Sequence, residues 1–242
     1  MKKRLSLCLV ILLSSLALMA CSKKTDQLSA ESQGTRTQVT AIEKSRYSNT
    51  GMVYDKDNPK NYGTASFLQA DTLITNRHVI TGIDKMKNAV VRVLDKNGKV
   101  VELPVKSYAI PEDETMDVGI LKLQTPISSN PQLSHIKFLK MADEKVIQSV
   151  KKGQLVRTVG YPGDKDFGTL WDSHGVLKNI EGNFLTFNAP ITSGSSGSPI
   201  YDSQFNLIGL SNASTEDPNK PTTYGFLFDK AIRTFVNKNL NS

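Results

Sequence analysis

Thr192-Ser193-Gly194-Ser195-Ser196-Gly197-Ser198-Pro199-Ile200 places small residues on both sides of Ser196. Glycine and serine at these positions allow a tight turn that exposes the Ser196 hydroxyl group. The same small residues let the backbone N–H groups of Gly194 and Ser196 converge on one point, as an oxyanion hole requires. A flexible Gly/Ser turn would have the same composition, and Ser195 and Ser198 are alternative reactive hydroxyls.

A histidine lies upstream of this turn, in Leu73-Ile74-Thr75-Asn76-Arg77-His78-Val79-Ile80, directly after a β-rich apolar segment. Taking a proton from a serine hydroxyl needs a base whose pKa lies near neutrality, and imidazole is the unperturbed side chain that meets this condition. His78 is therefore the candidate base for Ser196. The alternative is a histidine with a purely structural role.

An aspartate opens another apolar strand, in Thr115-Met116-Asp117-Val118-Gly119-Ile120-Leu121. A buried carboxylate is costly unless it is paired. Asp117 could accept the Nδ1–H of a histidine, fix the tautomer of the ring and stabilise the imidazolium. Capping of the strand is the structural alternative, and Asp113, whose neighbours are all polar, is a weaker candidate for the same role.

Short β-rich segments separated by turn residues fill the chain from about Gly63 onward, which predicts an all-β barrel or sandwich. Asn97-Gly98 is a strong hairpin signal between two of these segments. A helix is predicted at 229–240, because its apolar residues share one face behind a capping Asp229. The predicted strands are Ala65–Leu68, Thr72–Thr75, Val90–Leu94, Val100–Val105, Val118–Leu123, Gln154–Gly160, Gly168–Trp171, Gly175–Ile180, Phe184–Asn188, Pro199–Asp202, Leu207–Ser211 and Tyr224–Phe228.

Taken together, these segments resemble the glutamyl endopeptidase branch of the chymotrypsin-like serine protease family. The order His, Asp, Ser is that of chymotrypsin-like enzymes. The segment Val159-Gly160-Tyr161-Pro162-Gly163-Asp164-Lys165, followed by Trp171, also resembles a segment of that branch. The similarity covers roughly residues 50–240.

This resemblance implies an all-β fold of two six-stranded antiparallel barrels with a C-terminal helix and an active site between the barrels. His78 and Asp117 would come from a first barrel at about 49–130, and Ser196 from a second at about 131–228. The helix would occupy 229–240. The implied activity is hydrolysis of peptide or protein substrates through an acyl-enzyme, without a metal or an organic cofactor.

The substrate pocket departs from the family pattern. Family members that cleave after glutamate usually carry a histidine in the strand after the nucleophile, where this chain has Ser211, and a threonine where it has Ile191. Thr192, Ser193, Ser211 and Ser214 could still form hydrogen bonds with a substrate, but none supplies charge. A buried substrate carboxylate would then lack compensation. We therefore expect a neutral or apolar residue at P1, the residue before the cleaved bond.

The N-terminal region reads as an export signal at 1–20, with Lys2, Lys3 and Arg4 ahead of an apolar stretch. Leu18-Met19-Ala20-Cys21 resembles a bacterial lipobox, in which Cys21 would be lipidated and would hold the protein on a membrane surface. A plain signal peptide and an uncleaved N-terminal anchor helix are the alternatives.

Residues 21–48 are predicted to form a flexible tether, because their composition is polar and largely lacks apolar residues. The folded domain would then span 49–242. The expected location is the bacterial cell surface, with the lipid anchor on the membrane, unless cleavage of the tether releases the domain.

Composition excludes several other classes of function. The full chain has two cysteines, and Cys8 would leave with the signal, so Cys21 alone could form neither an internal disulfide nor a cysteine zinc site. The formal charge falls from +7 to +4 when the three basic residues of 1–20 are removed, and the remaining charges are interspersed. Nucleic-acid binding therefore has no support, and a monomer is expected.

Three alternatives to an endopeptidase of this branch remain at this point. One is a surface-binding or adhesin-type protein on a protease scaffold, since one fold can serve many functions. Another is a quality-control protease of the cell envelope, although such enzymes usually carry a further peptide-binding module after the barrels. The third is an esterase that uses the same groups.

Overall fold

The computed structural model describes residues 34–215 and 220–240. Most of these residues belong to short antiparallel strands. In chain order the strands are β1 (Thr35–Gln38), β2 (Thr50–Asp55), β3 (Asn58–Phe67), β4 (Thr72–Thr75), β5 (Ala89–Leu94), β6 (Val100–Ala109), β7 (Gly119–Leu123), β8 (Leu155–Gly160), β9 (Trp171–Glu181), β10 (Phe184–Phe187), β11 (Pro199–Asp202), β12 (Leu207–Ser214) and β13 (Thr223–Leu227). The α-helices are α1 (Arg77–Thr81), α2 (Glu144–Ser149) and α3 (Lys230–Leu240).

Strands β2 to β7 form the first barrel, which closes in the order β2-β3-β4-β7-β6-β5. All of its pairings are antiparallel. Phe67, Leu73, Val91 and Leu121 are fully buried members of its core. Side chains alternate across a strand, so one apolar face of each strand can fill the barrel while the other faces outward or toward the neighbouring barrel.

The second barrel contains β8 to β13. Its order is β9-β10-β13-β12-β11-β8, and a further pairing between β8 and β9 closes it. Strand β1 joins the outside of β9 and extends this sheet to seven strands. The predicted fold of two six-stranded antiparallel barrels is confirmed.

The C-terminal helix α3 is also confirmed. The Asp229 carboxylate accepts a hydrogen bond from the Ile232 amide at 2.8 Å, as expected of a residue that caps a helix. Ile232 and Val236 are buried, which anchors the helix to the barrels through its apolar face.

Residues 34–48 lie within the predicted tether, and the structure places them against the second barrel. Strand β1 pairs with β9, and farther along Tyr47 is buried. The Tyr47 hydroxyl donates to the Asp172 carboxylate at 2.8 Å and accepts from the Arg157 guanidinium at 2.7 Å. Burial raises the pKa of Tyr47 to about 12, so its hydroxyl remains protonated near neutral pH. The folded region therefore reaches at least as far as residue 34.

The predicted signal and Cys21 lie outside the described residues. Within 34–215 and 220–240, no helix is both long and apolar enough to cross a membrane.

Thr64, at the centre of β3, joins the two barrels. Its amide donates to the Ser196 carbonyl at 2.8 Å, and its hydroxyl donates to the Gly194 carbonyl at 3.0 Å. The same hydroxyl accepts from the Tyr161 amide at 3.2 Å. Gly197 lies against this strand so closely that a Cβ there would sit 2.1 Å from the Thr64 carbonyl oxygen and 2.3 Å from Thr75 Oγ1.

We predict that Gly197→Ala destabilises the protein by about 3 kcal/mol or more, because a φ of +85° disfavours alanine and the new methyl group would overlap Thr64. Gly153 has the same φ of +85° but open space around it, so Gly153→Ala should cost only about 1–2 kcal/mol. Urea unfolding of both variants measures the difference. Equal losses of stability would contradict the tight contact between the barrels.

Candidate active site

The strand pairing of the first barrel brings His78 and Asp117 together. Strands β4 and β7 pair with Thr75 opposite Gly119. His78 is the second residue of the short helix α1, just beyond the end of β4, and Asp117 lies just before the start of β7. Because the two strands are antiparallel, both residues emerge at the same end of this strand pair.

The Asp117 carboxylate holds His78 at two points. One oxygen accepts from the backbone amide of His78 at 3.0 Å, and the other lies 2.8 Å from the Nδ1 atom of the ring. The Asn76 side-chain amide donates to the Asp117 carbonyl at 2.8 Å, which fixes the backbone beside the carboxylate. The His78 side chain is 48% exposed, whereas that of Asp117 is 21% exposed, so the ring faces solvent from an anchored position.

Asp113, the weaker candidate for Asp117's role, lies elsewhere. It is exposed, and one of its oxygens accepts from both the amide and the hydroxyl of Thr115, at 2.9 and 2.7 Å. These hydrogen bonds hold the pKa of the Asp113 carboxyl below its usual range. The hydrogen bonds of the Asp113 carboxylate therefore stabilise a local turn.

The turn that carries Ser196 has glycines with φ near +85° on either side, at Gly194 and Gly197. Only glycine adopts this conformation readily. The Ser196 hydroxyl donates to the Asn212 carbonyl at 3.2 Å. Ser195 and Ser198 are both buried, whereas Ser196 lines an open cavity. The structure therefore exposes Ser196 and covers its two serine neighbours.

Within the described residues, the backbone N–H groups of Gly194 and Ser196 in this turn have no hydrogen-bond acceptor. The Ser193 carbonyl accepts from the Gly163 amide at 2.6 Å, and the Ser195 carbonyl accepts from the Ser198 amide at 3.0 Å. In a trans peptide the N–H group points away from the carbonyl, so the amides of Gly194 and Ser196 face the opposite way. Neither amide donates to a protein acceptor within the described part of the chain.

The serine turn and the histidine helix meet across the two barrels. A Cβ on Gly197 would lie 3.3 Å from the Asn76 amide, so the residue after Ser196 lies against the residue two before His78. Among residues 34–215 and 220–240, the hydrogen bond of the Ser196 hydroxyl goes to Asn212 and not to His78. Hydrogen bonds between catalytic groups often form only when substrate is present.

A cavity of about 450 Å³ lies beside Ser196. Four of the predicted substrate-binding residues line it, and none of the lining residues is charged. They are Ile191, Thr192, Ser193, Ser196, Ala213, Ser214 and Thr215. No group of three or more His, Cys, Asp or Glu side chains in the described residues is arranged to hold a metal ion.

Ser211 is the predicted pocket residue that does not line this cavity. It is fully buried, and its hydroxyl bonds with Thr158 at 3.2 Å and with the Ser198 carbonyl at 3.3 Å. A substrate group would reach it only by displacing these partners. Its role in substrate binding stays a prediction.

Sequence reasoning missed Asn212, Ala213 and Thr215. The pairing of β12 with β13 shifts register between Ser211 and Ala213, as expected of a β-bulge at Asn212. The bulge changes which side chains face the cavity, and the sequence carries no glycine or proline there to signal it.

The comparisons with known proteins agree with this architecture. A family model described as "Trypsin-like peptidase domain" matches residues 49–210. The chain is 26% identical to the glutamyl endopeptidase of Staphylococcus aureus (strain MW2) over 178 residues, which is 70% of this chain and 51% of that protein. The chain thus spans about half the length of this curated relative.

A solved structure, "Glu endopeptidase in complex with MPD", matches with a TM-score of 0.68 at 16% sequence identity. The match covers 89% of this chain and all of that one, and it supports the fold. Because the family model covers most of the chain and the two barrels match its architecture, the chain belongs to the family of trypsin-like peptidase domains.

Proposed function

We propose that this chain is a serine endopeptidase in which Ser196 is the nucleophile, His78 the general base and Asp117 the group that orients the base. The observation that carries the proposal is the pair of hydrogen bonds that the Asp117 carboxylate accepts from the amide and the ring of His78, next to a turn that places Ser196 at an open cavity. A carboxylate on Nδ1 leaves Nε2 as the atom that exchanges protons with the serine.

The reaction would begin with a rotation of the Ser196 hydroxyl from the Asn212 carbonyl toward His78. His78 Nε2 then takes the hydroxyl proton as the oxygen attacks the peptide carbonyl. The free amides of Gly194 and Ser196 would form the oxyanion hole and donate to the negative oxygen of the tetrahedral intermediate.

Collapse of that intermediate breaks the C–N bond, and His78 returns the proton to the leaving amine. The acyl group stays on Ser196 as an ester. A water molecule, deprotonated by His78, then hydrolyses the ester, which releases the acid and restores the serine.

One observation favours a second candidate, a binding protein on a protease scaffold. The Ser196 hydroxyl bonds to the Asn212 carbonyl, and a serine held there permanently would not attack a substrate. The two candidates differ in whether Ser196 reacts.

We predict that a fluorophosphonate probe labels the purified protein at Ser196, because the probe needs an activated serine and an oxyanion hole to displace fluoride. Labelling should disappear in Ser196→Ala. It should persist in Ser198→Ala, because the Ser198 hydroxyl is buried and has no hydrogen-bond partner among the described residues. A folded wild-type protein that takes no label would favour the binding protein.

Asp117→Asn should lower kcat by about 10³–10⁴-fold, because an amide cannot favour the required tautomer or stabilise the imidazolium. Asp113→Asn is the matched control and should leave kcat within about twofold, since the hydrogen bonds of the Asp113 carboxylate go to Thr115 of its own turn and not to His78. Kinetics on a fluorogenic peptide measures both variants. Similar losses in the two would remove Asp117 from its proposed role.

We also propose that the pocket favours neutral or apolar P1 residues over glutamate, because its lining carries no positive charge. Cleavage profiling with a peptide library should give a neutral residue as the most frequent at P1. A profile dominated by glutamate would contradict this proposal.

For location, we propose export and lipid attachment at Cys21, with the polar segment that follows leading to the barrels. The support is the charged and apolar order of the first 20 residues and the lipobox-like sequence at their end.

A further inference from the structure

A chain of hydrogen bonds connects the substrate cavity to the N-terminal strand β1. Thr192, which lines the cavity, donates from its hydroxyl to Asp164 Oδ1 at 2.8 Å. Asp164 in turn binds the Arg36 guanidinium through both oxygens, at 2.9 and 2.6 Å. The Asp164 side chain therefore links Thr192 of the cavity wall to Arg36 of strand β1.

Arg36 is held firmly in place. It pairs with Ser173 in the register between β1 and β9, and its guanidinium lies 5.6 Å from the centre of the Trp171 ring. Its side chain is only 16% exposed, although that of Asp164 is 41% exposed. A bidentate pair with one partner this well covered has a fixed geometry, unlike most surface ion pairs.

A second hydrogen bond connects the same strand pair, β1 and β9, to the cavity wall. The Ser173 hydroxyl donates to the Pro190 carbonyl at 2.7 Å, and Pro190 directly precedes Ile191 of the lining. Both the residue opposite Arg36 and the partner of Arg36 thus contact the segment that forms the pocket.

Charge balance at the pocket depends on this arrangement. Asp164 is the carboxylate bonded to a lining residue; Arg36 is its ion-pair partner, and nearby Lys165 adds a weaker attraction. The hydrogen bonds from Arg36, and then that from Thr192, hold the pKa of the Asp164 carboxyl below its usual range, so it is ionised near neutral pH. An ionised carboxylate without its partner would attract a positive substrate side chain.

We propose that Arg36 is a positioning residue for the substrate pocket: through Asp164 it fixes Thr192, and it offsets the charge of Asp164 beside the pocket. This inference rests on the proposed function, since it concerns selectivity at the same site. Arg36 lies outside residues 49–210, which match the family model. The N-terminal strand β1 therefore contributes to the site through Arg36.

Two variants that break the same ion pair test this inference. Arg36→Gln removes the ion-pair partner of Asp164 and leaves only the weaker attraction of Lys165, so kcat/KM for a peptide with Lys at P1, relative to one with Glu, should rise about two- to tenfold. Asp164→Asn leaves Arg36 unpaired, so the same ratio should fall by a similar factor. The assay uses internally quenched peptides that differ only in Leu, Lys or Glu at P1, with the full-length chain at low and at high salt.

Further measurements distinguish an effect of the changed charge from an effect of lost structure. Both shifts should shrink at high salt, because screening weakens interactions between exposed charges. For the Leu peptide, Arg36→Gln should raise KM more than it lowers kcat, since Thr192 contacts substrate and not the reacting groups. Arg36→Lys keeps the charge and should retain a ratio near that of wild type. Lys56→Gln, which breaks an ion pair with Glu102 at 2.8 Å in the first barrel, is the control and should leave the ratio unchanged.

The outcomes are distinguishable from failure of the proposed function. An active, labelled wild-type protein in which Arg36→Gln and Asp164→Asn change the ratio equally and in the same direction would overturn the inference alone, because lost structure predicts equal effects. If one variant fails to fold, the sign of the shift in the other still decides. A wild-type protein that neither takes the probe nor cleaves any of the peptides would overturn both.

Discussion

The contact between β3 and the serine turn is the constraint on which the site depends. Thr64 uses its amide and its hydroxyl to hold the Ser196 and Gly194 carbonyls, and its own carbonyl accepts from the Thr75 hydroxyl at 2.7 Å. Thr64 and Thr75 are fully buried, where an unmade hydrogen bond costs about 1–3 kcal/mol. One residue of the first barrel therefore fixes the backbone of the second barrel where the proposed nucleophile lies.

The directions in which the carbonyl and amide groups of the turn point explain its glycines. Ser193 and Ser195 must present their carbonyls to partners on one side if the following amides are to face the other. That alternation requires a left-handed φ at Gly194, where a side chain would also meet Tyr62, since a Cβ there would lie 2.3 Å from its ring. Backbone conformation and packing against the first barrel thus demand glycine at the same place.

Most of the strands, the helix α3 and the segments around His78, Asp117 and Ser196 could be predicted from the sequence because each has a local signal, whereas the two-barrel arrangement is implied by the family resemblance. Alternating β-branched residues and turn residues mark the strands, and Asp229 marks the start of the helix. Predicting that His78 and Asp117 lie together requires two further observations, namely the order of the chemical groups along the chain and the family pattern. The register that places Thr75 opposite Gly119 is not visible in either segment alone.

What escaped prediction depends on partners distant in the chain. Strand β1 contains Thr, Arg, Thr and Gln, a polar composition that predicts a tether, yet β9 supplies the backbone partners that make it a strand. The bulge at Asn212 depends on β13 in the same way. Such features are set by pairing across the sheet, and side-chain patterning says little about them.

The polar character of β1 also has a structural reason. An edge strand with an apolar exposed face invites pairing with another chain, and charged or polar residues reduce that risk. The exposed residues Thr35, Thr37 and Gln38 serve this need, whereas Arg36 is mostly covered and is bonded through Asp164 toward the cavity beside Ser196. Because the serine turn with its part of the cavity wall, the other part of the wall at 213–215 and the histidine come from three separate parts of the chain, small shifts between those parts would alter reactivity before either barrel lost its core. The site is therefore more sensitive to the contacts between elements than to the stability of the elements themselves.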